Sequence, residues 1–198
     1  MTGLAGRSEA RDEFRLACYR AAREQLFAAG YDQLSLRLFS KQDARSRNRR
    51  QSCAREDGTV GLGCGARSYT QPLHYSTEYA VGRSGILEIL KDYIARPRTA
   101  FETVDYGIAV DEHEQRRRFL LLSLMSCAGL DRKAYTKRFG GDAIDDFPEL
   151  MALARRGLAT LGERAIVLTP DGLERSDAIG PWLYSTEVRQ RMESYAWR

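Results

Sequence analysis

Only two of the 198 residues are histidines, four are cysteines and five are prolines. His74 and His113 stand 39 positions apart, with no cysteine or clear carboxylate partner nearby. Neither a histidine metal site nor a Ser-His-Asp triad is therefore written in local sequence. Cys18, Cys53, Cys64 and Cys127 are spaced by 35, 11 and 63 residues, which fits no zinc ribbon, redox pair or iron-sulfur run. They read as free thiols. Long hydrophobic runs are also missing: the longest, Phe119 to Met125, is short and interrupted by Ser123, whereas a membrane span needs about 20 apolar residues. The first ten residues lack an apolar stretch behind a basic one, so the expected location is the cytoplasm.

Charge of one sign is scarce as well. Thirty-one Lys and Arg against 27 Asp and Glu leave a net +4, too little over this length to imply a polyanionic partner. Two arginine runs stand out, Arg45, Arg47, Arg49 and Arg50 in one segment and Arg116 to Arg118 in another. Each reads either as a solvated face or as a contact for phosphate or nucleic acid. With 43% hydrophobic residues and a mean hydropathy of -0.48, the composition is that of a soluble α+β protein.

Along the chain, residues 1–9 read as a disordered start. Residues 9–29 are rich in Ala, Arg, Glu and Leu and predict a helix with Phe14, Ala17, Cys18, Ala21 and Ala28 on one face, stopped by Gly30. Leu34, Leu36 and Leu38 alternate with polar or exposed positions, the period of a strand. Residues 40–58 are almost without apolar side chains and predict a loop.

The segment from Thr59 to Thr70 reads as a short buried strand with Gly61, Gly63 and Gly65 at alternate positions. Glycine contributes no packing area, so three in a strand let some other group approach the backbone, either a ligand or a packed neighbouring element. The spacing is not the dinucleotide fingerprint, because the third glycine follows the second by two residues and no helix opens behind it.

Ile86, Leu87, Leu90, Tyr93 and Ile94 mark a packing helix from Ser84, and residues 96–110 read as a connector between two domains. Beyond it, Asp111 opens a helix and Gly129 ends it. A short helix runs through Tyr135 to Phe139, and a third opens at Asp146, with Glu149 completing a capping box and Phe147, Leu150, Met151, Ala154 and Leu158 as its stripe. A hairpin around 161–164 and an N-cap at Thr169-Pro170 follow. Three helices, a hairpin and a further helix form the winged-helix pattern.

Four features in fixed order carry a family resemblance: Ala28-Ala-Gly-Tyr31 ahead of a strand, the Gly61-Leu-Gly-Cys-Gly-Ala-Arg-Ser68 segment, the helix near 84–95, and a terminal winged helix with Gly157-Leu158, Leu168-Thr169 and Gly172-Leu173. Over about residues 10–190 this order resembles the C-terminal half of the oxygen-independent coproporphyrinogen III oxidase family, radical S-adenosylmethionine (SAM) enzymes of the heme pathway. The resemblance implies an α+β fold: residues 10–95 as the terminal helix and strand elements of a partial (β/α) barrel, then 111–198 as a winged-helix-like C-terminal domain. It implies SAM and a [4Fe-4S] cluster as cofactors of the full-length family, and a tetrapyrrole-type substrate whose propionate side chains are oxidatively decarboxylated.

The family's Cys-x-x-x-Cys-x-x-Cys run is absent from this chain. The expectation is therefore a truncated member, inactive alone, whose missing N-terminal barrel half comes in cis or in trans. Carried over, Gly61, Gly63, Ala66 and Arg67 would line the adenosine side of the cofactor, with no catalytic residue and no metal ligand assigned. The Arg45–Arg50 loop aligns with a family loop near the substrate opening, where arginines could pair with carboxylates. The alternative is a winged-helix DNA-binding or protein-interaction module. Asp145 and Asp146 at the start of its third helix would meet the phosphates, which argues against nucleic acid.

Overall fold

The computed structural model describes residues 2–41, 58–104 and 106–194, with side chains from Asp12 onward. The Arg45–Arg50 loop and Cys53 lie outside the described residues.

The first helix, α1 (Thr2–Ala28), is longer than its sequence signature. Leu4, Ala5, Glu9 and Ala10 are strong helix formers and carry it through the stretch read as a disordered start. The half-buried positions are Leu16, Tyr19, Arg23 and Leu26, while Phe14, Ala17, Cys18 and Ala21 are exposed. The inward stripe is thus built by leucine, tyrosine and arginine stems, while the alanines and Phe14 face out. Gly30, at φ 78°, ends the helix.

The alternating leucines do not form a strand. Strands β1 (Tyr31–Gln33) and β2 (Phe39–Lys41) pair antiparallel, and Leu34 to Leu38 make the connection between them. The amides of Leu34 and Ser35 both donate to the Leu38 carbonyl, at 2.7 and 3.2 Å, which closes the chain into a turn where period-2 patterning had suggested extension.

Next come β3 (Ser68–Tyr69), β4 (Leu73–Tyr75), α2 (Arg83–Ala95), a 3-10 turn (Arg98–Phe101), β5 (Gly107–Ala109) and α3 (Glu112–Leu124). Strands β3, β4 and β5 form an antiparallel sheet in that order. The stretch read as a connector is thus partly structural, since 107–109 pair with 73–75. On α2 the sequence-predicted packing stripe is largely uncovered: Ile86, Leu87, Leu90 and Ile94 are exposed and Ile89 is the buried residue.

The remaining elements are β6 (Leu130–Asp131), α4 (Arg132–Phe139), α5 (Ala143–Asp146), α6 (Glu149–Arg155), β7 (Ala159–Leu161), β8 (Ala165–Leu168), α7 (Pro170–Leu173), α8 (Ser176–Trp182) and α9 (Thr186–Glu193). Here the local signals were accurate. Thr169 caps α7 by accepting the Gly172 amide at 3.1 Å, with Pro170 in the first turn, and Gly140 ends α4 at φ 79°. One signal failed: Asp146 is not a cap. It accepts the buried Tyr135 hydroxyl at 2.5 Å, while Asp142 caps α5 through the Ile144 amide at 2.8 Å. The reason is Pro148, which holds Phe147 out of helical geometry at φ -133°, ψ 79° and so splits the helix in two.

Every named strand pairing among the described residues is antiparallel, so the parallel pairing expected of a (β/α) barrel remnant is not among them. The described residues fall into two compact units that interleave in sequence: one within Met1–Ser46 and Leu120–Leu183, the other within Arg47–Phe119 and Tyr184–Arg198. A division at 96–110 does not coincide with either limit. In the first unit the core is built from Leu120, Leu124, Tyr135, Phe147, Leu150 and Ile166, all fully buried. There Glu174, with its side chain 1% exposed, is held by Arg20 through two guanidinium nitrogens.

Candidate functional site

The glycine segment is a turn rather than a buried strand. Thr59 bridges Tyr69, each amide donating to the other's carbonyl at 2.7 Å, so residues 60–68 fold back as a closed loop. The Ala66 amide donates to the Gly63 carbonyl at 3.2 Å inside it. Gly63 and Gly65 have φ of 97° and 77°, conformations that an L side chain rarely adopts.

Each glycine has its own reason. At Gly61 a Cβ would lie 2.7 Å from the Arg67 carbonyl oxygen and 2.8 Å from the Ala66 Cβ, so this position is closed by the chain itself. At Gly63 and Gly65 nothing lies within 4 Å of that point; the backbone conformation demands glycine and the space is open.

Three hydroxyls hold the loop in shape. The Gly61 amide donates to Ser68 Oγ at 3.0 Å, the Gly65 amide to Thr77 Oγ1 at 2.8 Å, and Ser76 Oγ donates to the Ala66 carbonyl at 3.2 Å. Ser68 is buried; Leu62 is 90% exposed at the tip. Cys64 Sγ lies 3.8 Å from Thr77 Oγ1.

The four residues assigned from sequence thus share one loop, with different exposure. Gly61 and Ala66 are half-buried and shape it, whereas Gly63 and Arg67 face outward. Sequence reasoning missed Ser68, Ser76 and Thr77. It also missed the group beside them: Tyr69 and His74 are directly opposed across β3 and β4, their rings stacked at 4.1 Å and 27°. The Arg118 guanidinium carbon stands 4.5 Å from the centre of the Tyr69 ring. Burial pushes the His74 pKa below its ordinary value, and the charges of Arg118 and Arg67 add to the shift. The signal available in sequence was Tyr69-Thr-Gln-Pro-Leu-His74, two short runs around a proline turn.

A shallow cleft in the same unit is lined by Gly82, Ser84, Gly85, Glu88 and Asp92 and is acidic, so it does not suit an anion.

The cofactors implied by the resemblance fit this chain unequally. Among the described residues no three His, Cys, Asp or Glu side chains converge on a point that could hold a metal, and Cys18, Cys64 and Cys127 are free thiols. Among the described residues nothing fits a [4Fe-4S] cluster. Gly63 and Gly65, by contrast, leave their backbone exposed, with no atom within 4 Å of a Cβ added at either.

Residues 110–174 match the family model of the HemN C-terminal domain. No curated protein sequence matches the chain. Among solved structures, the coproporphyrinogen III oxidase (HemN) of Escherichia coli, described as a radical SAM enzyme, is similar at 19% identity and a TM-score of 0.58. The similarity covers 83% of this chain and 39% of that one, so the chain spans well under half the length of its relative. The chain is thus similar to the radical SAM coproporphyrinogen III oxidase in fold over most of its length, and matches the HemN C-terminal domain in sequence over residues 110–174.

Proposed function

We propose that this chain serves as part of a coproporphyrinogen III oxidase-like radical SAM protein, cytoplasmic and acting on a tetrapyrrole. The observation that carries this reading is that a family match over residues 110–174 and a fold match over 83% of the chain point to the same enzyme. The [4Fe-4S] cluster and the parallel strands such chemistry needs are supplied by polypeptide outside these 198 residues, and the chain alone is inactive. The uncovered apolar stripe on α2 supports this, since exposed Ile86, Leu87, Leu90 and Ile94 on one helix form a surface suited to burial.

Within the chain, residues 61–67 face the adenosine side of SAM, which when bound supplies the oxidising equivalent for decarboxylation. Gly63 and Gly65 leave the approach open; Gly61 and Ala66 set the loop's curvature; Ser68, Ser76 and Thr77 fix it. Arg67 projects from the same loop. Elements β6, α4, α5, α6, β7 and β8 make a winged-helix-like domain, supported by three helices preceding a hairpin that joins β6 in the sheet order β6-β8-β7. Glu149 in the first turn of α6, the third helix, argues against a nucleic-acid role for it.

The test is anaerobic turnover of coproporphyrinogen III with SAM and reductant. The chain alone should give no decarboxylated product, and the chain mixed with a cluster-bearing radical SAM polypeptide lacking this region should give it. Product from the chain alone, or none from a mixture in which both partners are folded and associated, would overturn the reading.

A further inference from the structure

We propose that the outer face of α2 is a docking site for an amphipathic helix whose apolar stripe is flanked by carboxylates, supplied by the cluster-bearing polypeptide. The source of that helix rests on the function proposed above; its chemistry rests on α2 itself.

Of the 13 residues of α2 one is buried, Ile89. Tyr93, one turn on, meets Phe101 edge-to-face with ring centres 5.3 Å apart, so these two side chains anchor the helix to its own chain. At 3.6 residues per turn, Ile86, Leu90, Ile94 and Leu87 continue the apolar face beyond that anchor over an arc of about 100°. All four are exposed, Ile94 to 80%. The apolar face is thus much wider than the part this chain covers, and a contiguous apolar surface of this kind marks a contact with another element.

Charge selects what covers it. Arg83 falls within the arc at the N-terminal turn and Lys91 borders it, both exposed, whereas Glu88 and Asp92 lie on the opposite side of the helix and line the shallow cleft. A covering helix lays its flanks along two cations, so carboxylates there are favoured and lysines opposed. A second copy of this chain has no carboxylate to offer from the same face of α2, and an antiparallel two-fold pair centred on Leu90 sets the two Lys91 side chains together. Anionic lipid suits the face poorly too, because within α2 Glu88 and Asp92 balance Arg83 and Lys91 and leave no cationic excess. The fold match leaves most of the relative's chain uncovered, so there is polypeptide enough outside these 198 residues to supply the helix.

The probes are two synthetic amphipathic helices about five turns long, with the same leucine stripe and either Glu or Lys flanks, and the cluster-bearing polypeptide of the turnover test. By fluorescence anisotropy the full chain should bind the Glu-flanked helix about tenfold tighter than the Lys-flanked one, and Arg83→Glu with Lys91→Glu should reverse the preference. Ile94→Glu should abolish binding of the Glu-flanked helix and of the polypeptide at an unchanged melting temperature, with Leu87→Glu as a second variant of the same stripe. Full binding in both stripe variants overturns the site; equal affinity for the two synthetic helices, or a preference that charge reversal leaves in place, overturns its chemistry. A dimer in sedimentation that Ile94→Glu dissociates makes a second copy the occupant, and binding to phosphatidylserine vesicles lost in the same variant makes it a membrane; either overturns the proposal. If the polypeptide fails to bind while the Glu-flanked helix binds, the named source falls. Turnover as full with the Ile94→Glu chain as with wild type leaves the functional reading standing and removes the docking site, whereas a complex that forms through α2 without turnover keeps the site and removes the function.

Discussion

Gly61 separates two explanations of the glycine loop, because its side-chain position is filled by the chain itself. An added Cβ meets the Arg67 carbonyl oxygen at 2.7 Å, the Ala66 Cβ at 2.8 Å and the Ala66 carbonyl carbon at 2.9 Å. Two of the three are backbone atoms, so no rotamer change relieves them. Overpacking of this kind costs about 2 kcal/mol. For a chain of this size Gly61→Ala should lower the melting temperature by about 4–8 °C. Adding Ala66→Gly removes the 2.8 Å contact but leaves the carbonyl oxygen, so recovery should be partial. Gly63→Ala probes the other cause. Its Cβ meets nothing within 4 Å, and its cost is backbone strain at φ 97°, about 1–2 kcal/mol. Thermal melts followed by circular dichroism, with SAM affinity measured on the same samples, distinguish the cases. An unchanged melting temperature in Gly61→Ala with loss of SAM affinity would refute the packing account and make Gly61 a ligand contact.

The Arg20 guanidinium holds Glu174 below the usual carboxylate range, with Arg175 and Arg23 adding to it. A depressed folded pKa gives stability that is complete above the unfolded value and is lost as pH falls through the folded one. Glu174→Gln should therefore be less stable than wild type at pH 7, with the gap closing on acidification; urea melts at three pH values giving a constant gap would contradict this. Thr169→Ala removes the cap on Gly172 and the bond to the Gly157 carbonyl, at 3.1 and 2.8 Å, and should cost about 1 kcal/mol, with Thr169→Ser retaining most of it in the same melts. Reconstituted anaerobically with iron and sulfide, the chain alone should bind no stoichiometric [4Fe-4S] cluster. Cluster-type absorbance that vanishes on replacing Cys64 or Cys127 would disprove that.

Local chemistry was legible in the sequence where one residue decides one bond. Thr169-Pro170, Gly140, Gly157 and the hairpin ending at Leu168 all follow from cap and turn preferences that need no distant partner. Leu34, Leu36 and Leu38 misled because alternation records exposure and not hydrogen bonding, and here the Leu38 carbonyl takes both amides. The site was half legible. Glycines at 61, 63 and 65 announced an unusual backbone, yet only coordinates separate a closed position at 61 from left-handed ones at 63 and 65. His74 has no chemical neighbour in the sequence, and Tyr69 meets it only through strand register, with Arg118 reaching the Tyr69 ring from a helix over 40 residues further on. The α2 stripe was read correctly as apolar, but periodicity does not say whether a cover lies within the same chain.

The interleaving of the two units has a consequence for synthesis. Arg20 and Glu174 are separated by 154 positions, and the segment between them includes most of the other unit. At roughly 5–20 residues per second, α1 leaves the ribosome about 8–30 s before its ion-pair partner has been made. During that interval Leu16, Tyr19 and Leu26 lack the ion pair that ties their helix to the unit, so α1 is locked only after the much later Glu174 has been made. Folding from the N-terminus forward is closed to this unit, and in the cell a chaperone that shields an apolar helix should raise its yield more than one that acts after release.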